Sequence, residues 1–522
     1  MVSCATLEQA GRWRWVGVMT IFACALVPAV PLLWVAAEGG GGGGAWLGEG
    51  FPGGLRRSLQ VAVWVAGLSL VAGLPCGVLA GLYRFPFRRV LLALLVLPLL
   101  APPFLWALGL SMLRTQLALP PHSLLGGLGG TVLAFCSGAV PLTLFASMLA
   151  SQTLSRSQTQ AARLAGGEMH LCLLAARHAF PMAALAATLG AVLTISDPGP
   201  GQIFGHEGAA SQILISFAAS YDFSLAARQS LALAGLALAV ALPVAGWLAP
   251  RLSAGLLARS AFLAEPGASR AAGRLTLVLV CSVIGVTILP GLAGLCLPAF
   301  RDAPFERAWQ EAARTLPNTV LYGVGAGLLA MVLGVALALC AGRQPRLRLV
   351  ALAGVFVLFS LPPALGALGI VRLGSEAGAA FDPVLRGRFP VVLWLGLRLF
   401  PIVSVFAMRR LGAAPVSWAQ AAALHGLPLR IYFLRILAPW LLPAAAVGGL
   451  LAGLLGIADI GSMLLLHPPG HGSFPLAIFT VMANAPESLV ATLCLAYFGL
   501  SALVLALAWA LAGRISSFPA RS

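Results

Sequence analysis

The chain of 522 residues contains no lysine, so all 32 of its basic residues are arginine. A phosphate-cradling P-loop needs a lysine to reach the β- and γ-phosphates, which excludes that kind of nucleotide site here. Charge of any kind is scarce at 9% of residues, and aspartate and glutamate together number 15. The nine cysteines are scattered, mostly within apolar runs, with no C-x-x-C pair. That removes the usual grounds for a redox or zinc site and leaves them as small apolar core residues. Alternating strand patterns are missing too, and the apolar runs are too long for barrel strands.

What fills the chain instead is apolar: 60% of residues, with a mean hydropathy of +0.96. Runs longer than about 18 residues cross the hydrocarbon core as helices. Twelve spans are expected, near 15–37, 58–81, 90–113, 128–150, 181–204, 229–249, 275–298, 317–341, 349–371, 389–408, 439–465 and 488–513. The first follows Arg12 and Arg14 as a signal peptide would. It is long, lacks a small-residue cleavage site and runs into Glu38, so it is read as a helix. The fold class expected is an all-α polytopic membrane protein with about 12 transmembrane helices.

Charge orders these spans. With the amino terminus cytoplasmic, that side holds 21 arginines against three acids, and the opposite side ten against ten. Positive charge belongs on the cytoplasmic side, so both termini are placed there. The high pI then reports membrane topology and gives no ground for a nucleic-acid partner.

The spans fall into two copies. Gln160-Ala161-Ala162-Arg163-Leu164-Ala165-Gly166 recurs 260 residues later as Gln420-Ala421-Ala422-Ala423-Leu424-His425-Gly426. Each stretch lies on the arginine-rich side and is followed by a basic segment, then a proline that opens an apolar run. The Pro102-Pro103 pair recurs at Pro362-Pro363 and Pro141 at Pro401. Beyond the loops the offset becomes 262, pairing Pro181 with Pro443 and Asp197 with Asp459. The division expected is a first six-helix repeat over 1–255, a cytoplasmic linker over 256–272 and a second, parallel repeat over 273–522. The alanines favour helix and offer a face that another protein can approach closely. Gly166 and Gly426 suit the left-handed residue that stops such a helix. Arg163, Arg430 and Arg435 suit anionic headgroups or an acidic partner surface.

These residues resemble the permease subunits of type I binding-protein-dependent ATP-binding-cassette importers. Their loop pattern is E-A-A, three residues, G, then about a dozen residues to an apolar residue with proline. The resemblance is nearest to the fused two-permease subunits of the ferric-iron and thiamine type, which carry Asp-x-Gly after each loop. Asp197-Pro198-Gly199 and Asp459-Ile460-Gly461 match that feature. Two departures stand out: glutamine replaces glutamate at Gln160 and Gln420, and the glycine-to-proline spacing differs between the loops.

The resemblance implies two cytoplasmic ATPase subunits, one docked on each loop, and an external solute-binding protein that delivers cargo. It implies no catalytic residue, cofactor or metal site in this chain, since the partner uses the ATP. It also implies the bacterial inner membrane, and a cargo such as ferric iron, thiamine, a phosphonate or a polyamine. The alternative class is a secondary active transporter, which also uses six-plus-six parallel repeats but has no reason to repeat a docking loop.

Further residues invite a role. Asp197 and Asp459 are the only acids within spans; such acids line a pathway or cap backbone at a helix end, and a pathway pair leans towards a cation, ferric iron first. Arg398, the only basic residue within a span, is a partner for one aspartate or snorkels outward. Pro102, Pro103, Pro362 and Pro363 are expected to kink two helices and so to serve gating. His206, His467 and His471 fall in external loops, where metal contact competes with simple solvation. The glycines at 39–44 read as a flexible linker.

Overall fold

The computed structural model describes residues 11–38, 46–257, 269–376 and 382–516. These residues form helices and turns without a strand. Ten helices are long and apolar enough to cross a bilayer, with two more spans if each of two bent helix pairs crosses as one. The chain is therefore of the all-α polytopic membrane class. The glycine run at 39–44 and most of the 256–272 linker lie outside the described residues.

The proline pairs do break their helices. Ala101 and Leu361 are extended, with ψ of 139° and 141°, because a proline ring excludes the α conformation from the residue before it. Arg88–Leu100 and Pro103–Gln116 are bent by 102° from one line, and Pro345–Ser360 and Pro363–Glu376 by 80°. The spans expected over 90–113 and 349–371 are thus angled pairs.

Other edges move as well. The span expected over 181–204 ends at Ser196, and that over 439–465 ends at Ile457. The span over 275–298 is divided into Arg270–Thr287 and Leu289–Asp302, and that over 15–37 passes through a 3-10 turn at Val27–Ala29. Hydropathy averages over a window and does not register a backbone break within it. It also stops at the membrane edge, whereas Phe305–Ala341 has 37 residues. At 1.5 Å per residue that is about 55 Å, well beyond about 30 Å of hydrocarbon.

Packing divides the chain into two units, and neither is continuous in sequence. One comprises Met1–Glu49, Ile213–Phe262 and Val320–His471; the other comprises Gly50–Gln212, Leu263–Thr319 and Gly472–Ser522. Each unit takes its central block from one sequence half and its flanking segments from the other. The compact units therefore cut across the repeats read at 1–255 and 273–522.

Within each unit a glycine seats one arm of the bent pair against a broken helix. In the first unit, a Cβ on Gly369 would overlap the carbonyl oxygen of Pro28 in the Val27–Ala29 turn. In the second, a Cβ on Gly109 would overlap the carbonyl oxygen of Gly291, beside Pro290. Such backbone-to-backbone approach is the contact that small residues permit between membrane helices.

Candidate functional site

The first loop begins with a capping box. Ser155 Oγ accepts from the amide of Gln158 (3.2 Å), and Gln158 Oε1 accepts from the amide of Ser155 (3.0 Å), which satisfies two amides a helix start leaves orphaned. The pattern Ser155-x-x-Gln158 carries this signal in the sequence, just before the repeated alanines. The helix so started turns Thr159 and Ala162 inward. Gln160 and Ala161 face out, and Leu164 is 90% exposed. Ala162 joins an apolar cluster with Val78, Leu82, Leu154, Leu171 and Ala175.

This helix stops at a glycine pair. Gly166, expected to be left-handed, has φ −168°, which any residue adopts; the left-handed residue is Gly167, at φ 68°. A single glycine at the end of a motif invites the assignment, and the second one decides the geometry.

Across the break, Glu168 ties the two sides together. It pairs with Arg163 Nε at 3.0 Å and accepts a hydrogen bond from the Tyr83 hydroxyl. Tyr83 is the C-cap of the helix Leu74–Leu82, so the loop is joined to the end of a span. Burial, and then the bond to Glu168, push the Tyr83 phenol far above its ordinary value.

A phenol held protonated contributes its full stability below pH about 10, and that contribution falls as pH rises towards the folded-state value. Tyr83→Phe should therefore lose less thermal stability than wild type between pH 9 and 11. The difference should approach about 1.4 kcal/mol per pH unit, read from parallel melting curves. Identical curves would show that the phenol is not held in this way.

The second loop ends by a different device. In Val416–Leu424, Gly426 N donates to Ala423 O (3.1 Å) and Leu427 N to Ala422 O (3.0 Å), around Gly426 at φ 59°. That is a Schellman stop, and the expected left-handed Gly426 is observed. Ala422 is buried, Gln420 and Ala421 are exposed, and Leu424 is 87% exposed.

The change of offset from 260 to 262 has a local account. The chain re-enters a helix at Glu168 in one copy and at Leu429 in the other, one residue later in register. The π turn Phe433–Leu437 absorbs the second residue, since a π turn holds one residue more than an α turn.

The Asp-x-Gly motifs meet the proline bends. Asp197 Oδ1 accepts from the amide of Gly199 (2.8 Å), and a Cβ on Gly199 would lie 2.8 Å from Phe104 Cβ, next to Pro103. Asp459 Oδ1 accepts from the amide of Ser462 (3.2 Å), and a Cβ on Gly461 would lie 3.2 Å from Pro363 Cγ. Asp459 is the N-cap of the short helix Ile460–Leu466, whereas Asp197 stands one residue before Pro198, the N-cap of Gly199–Ile203; in both motifs the glycine keeps the short helix close to the bend.

Asp459 does more than cap. Its Oδ2 accepts from Ser462 Oγ (2.7 Å) and from the guanidinium of Arg398, with both charged side chains 8% exposed. Ser462 Oγ in turn accepts from Trp394 Nε1 (2.9 Å). The indole of Trp394 lies against Gly366, one turn into the second arm of the bent pair. Arg398 thus takes the role of an internal partner, for Asp459. Three donors thus surround the Asp459 carboxylate.

Comparison with protein-family models, curated proteins and solved structures finds no match for this chain. Among the described residues no three His, Cys, Asp or Glu side chains converge on a metal position. His467 Nδ1 lies 2.9 Å from Met463 O, and His471 Nδ1 lies 3.2 Å from Arg388 Nη2. Of the eight described cysteines, all free, Cys24 and Cys281 are exposed and do not belong to the core to which composition assigned them.

Proposed function

We propose that the chain is the transmembrane permease of an ATP-driven importer. It carries two fused permease repeats in one polypeptide, provides the translocation path, and couples that path to separate ATPase subunits. The observation that carries this reading is the matched pair of outward leucines. Leu164 and Leu424 are 90% and 87% exposed on short helices whose Ala162 and Ala422 are buried at 4% and 2%. An exposed leucine forgoes about 1.5–3 kcal/mol of burial. The same cost at matched positions supports docking, each leucine filling a groove on one ATPase subunit.

In this reading, ATP-driven closure of the partner subunits pulls on each loop. Gly167 and Gly426 are the pivots between docking helix and span, and Pro102-Pro103 and Pro362-Pro363 are the bends that gate the path. The chain itself has no catalytic residue, cofactor or resident metal. It lies in the bacterial inner membrane with both termini cytoplasmic, and an external solute-binding protein supplies its cargo. That cargo is a small solute, ferric iron before thiamine, a phosphonate or a polyamine. The support for iron is the sequence resemblance; Asp459, neutralised by Arg398, adds none.

Leu164→Arg and Leu424→Arg should insert normally, because both side chains are exposed on loops outside the spans, yet each should weaken ATPase retention about tenfold or more. The measurement is ATPase activity that co-purifies with the tagged chain from native membranes. Retention of that activity by the double variant, or its absence with wild type, would sink the reading.

A further inference from the structure

Arg348 is 1% exposed, and none of its three guanidinium nitrogens has a hydrogen-bond partner. A guanidinium does not shed its charge in a protein, and an unpaired buried charge is severely destabilising.

The surroundings increase the imbalance. Arg343 lies five residues earlier, and Arg14 rests on Gly342 so closely that a Cβ there would overlap its guanidinium. Arg14 Nε donates to Cys340 O (3.2 Å) and Arg343 to Ala414 O, both neutral acceptors. Among the described residues no carboxylate pairs with Arg14, Arg343 or Arg348.

The backbone adds further positive character. Arg348 stands in the first turns of Pro345–Ser360, which has no acidic residue in its first turn and no side-chain cap on its amides. Helical side chains lean back towards the amino terminus, which directs Arg348 at those uncapped amides and the positive end of the helix dipole. That end also closes an apolar helix pair of spanning length, the level at which lipid phosphates lie.

The sequence position 260 residues earlier repeats the pattern. Arg88 opens Arg88–Leu100, again with no side-chain cap and no acid in the first turn. Its Nε is buried without a partner, and its Nη2 reaches only the Met148 sulfur at 4.0 Å.

We propose that Arg343, Arg348 and the amino-terminal turn of Pro345–Ser360, with Arg14 beside them, bind a phosphate group, supplied by the headgroup of an anionic phospholipid. Phosphate oxygens accept from guanidinium forks and from helix amides alike. Free inorganic phosphate offers the same oxygens from a different source. The proposal requires only that the helices span a bilayer, so it stands apart from the transport reading.

The full chain is reconstituted in discs of phosphatidylcholine alone, of phosphatidylcholine with phosphatidylglycerol, and of phosphatidylcholine with added inorganic phosphate. Melting temperature and lipid retained in native mass spectrometry are read in each. Wild type should melt higher with phosphatidylglycerol and retain it. Arg348→Met should reverse the order: at least as stable as wild type in neutral lipid, but with phosphatidylglycerol retention about tenfold weaker and no gain in melting temperature. Should Arg348→Met fail to fold, Arg343→Gln should show a partial loss of the same gain. A gain from inorganic phosphate without retained phosphatidylglycerol would assign the site to a free anion. Equal responses of wild type and variants to all three conditions would overturn the site.

Discussion

With leucine in place of Arg398, the protein should lose about 3–5 kcal/mol of stability, the usual consequence of leaving one partner of a buried ion pair alone. The stranded group is Asp459, 8% exposed and within reach of only Ser462 once the guanidinium is gone. Its disturbance would spread through Ser462 to Trp394, and from there to the bend at Pro362-Pro363. Adding Asp459→Asn to Arg398→Leu should restore most of the loss, because the amide still caps Ile460–Leu466 while carrying no charge. The fraction of monodisperse protein after graded heating in detergent measures both effects. A single variant as stable as wild type would mean that the pair contributes nothing.

Gly369→Val should cost about 3 kcal/mol or more, at or beyond the upper end for overpacking. Most overpacked sites relieve themselves by moving a side chain. Here the obstacle is the Pro28 carbonyl oxygen, and backbone in a packed turn has no rotamer to change. Gly235→Ala is the control, since a Cβ there meets nothing within 4 Å, and the helix should gain up to about 1 kcal/mol. The same heating assay compares the two. Comparable melting of Gly369→Val and wild type would contradict the close approach.

Much of this architecture was legible because membrane solvent imposes a simple rule on composition. Apolar length located the spans. The proline pairs announced their bends, because the ring acts on its immediate neighbour. The partnership of Arg398 with Asp459 was readable as an option only, since 61 residues separate them and the pairing depends on how two helices face each other. Gly167 was missed because the choice between adjacent glycines is made by the φ of each, which sequence does not carry. The Tyr83–Glu168 tie was invisible for a similar reason: it joins a span's end to a loop 85 residues away. The buried state of Arg348 was hidden too, as a loop arginine near a span end is normally assigned to water.

The discontinuous units have a consequence for the order of events during synthesis. The turn at Pro28 is fitted to Gly369, about 340 residues later in the chain. At about 5–20 residues per second, the first span emerges tens of seconds before its partner exists. Throughout that interval it must sit in lipid with its mating groove open, protected by neighbours it will later leave or by the insertion machinery. Slow translation through the second half would prolong that exposure, and fast translation would shorten it. The rate of the ribosome over residues 320–471 thus becomes a determinant of yield, even though those codons specify none of the first helix.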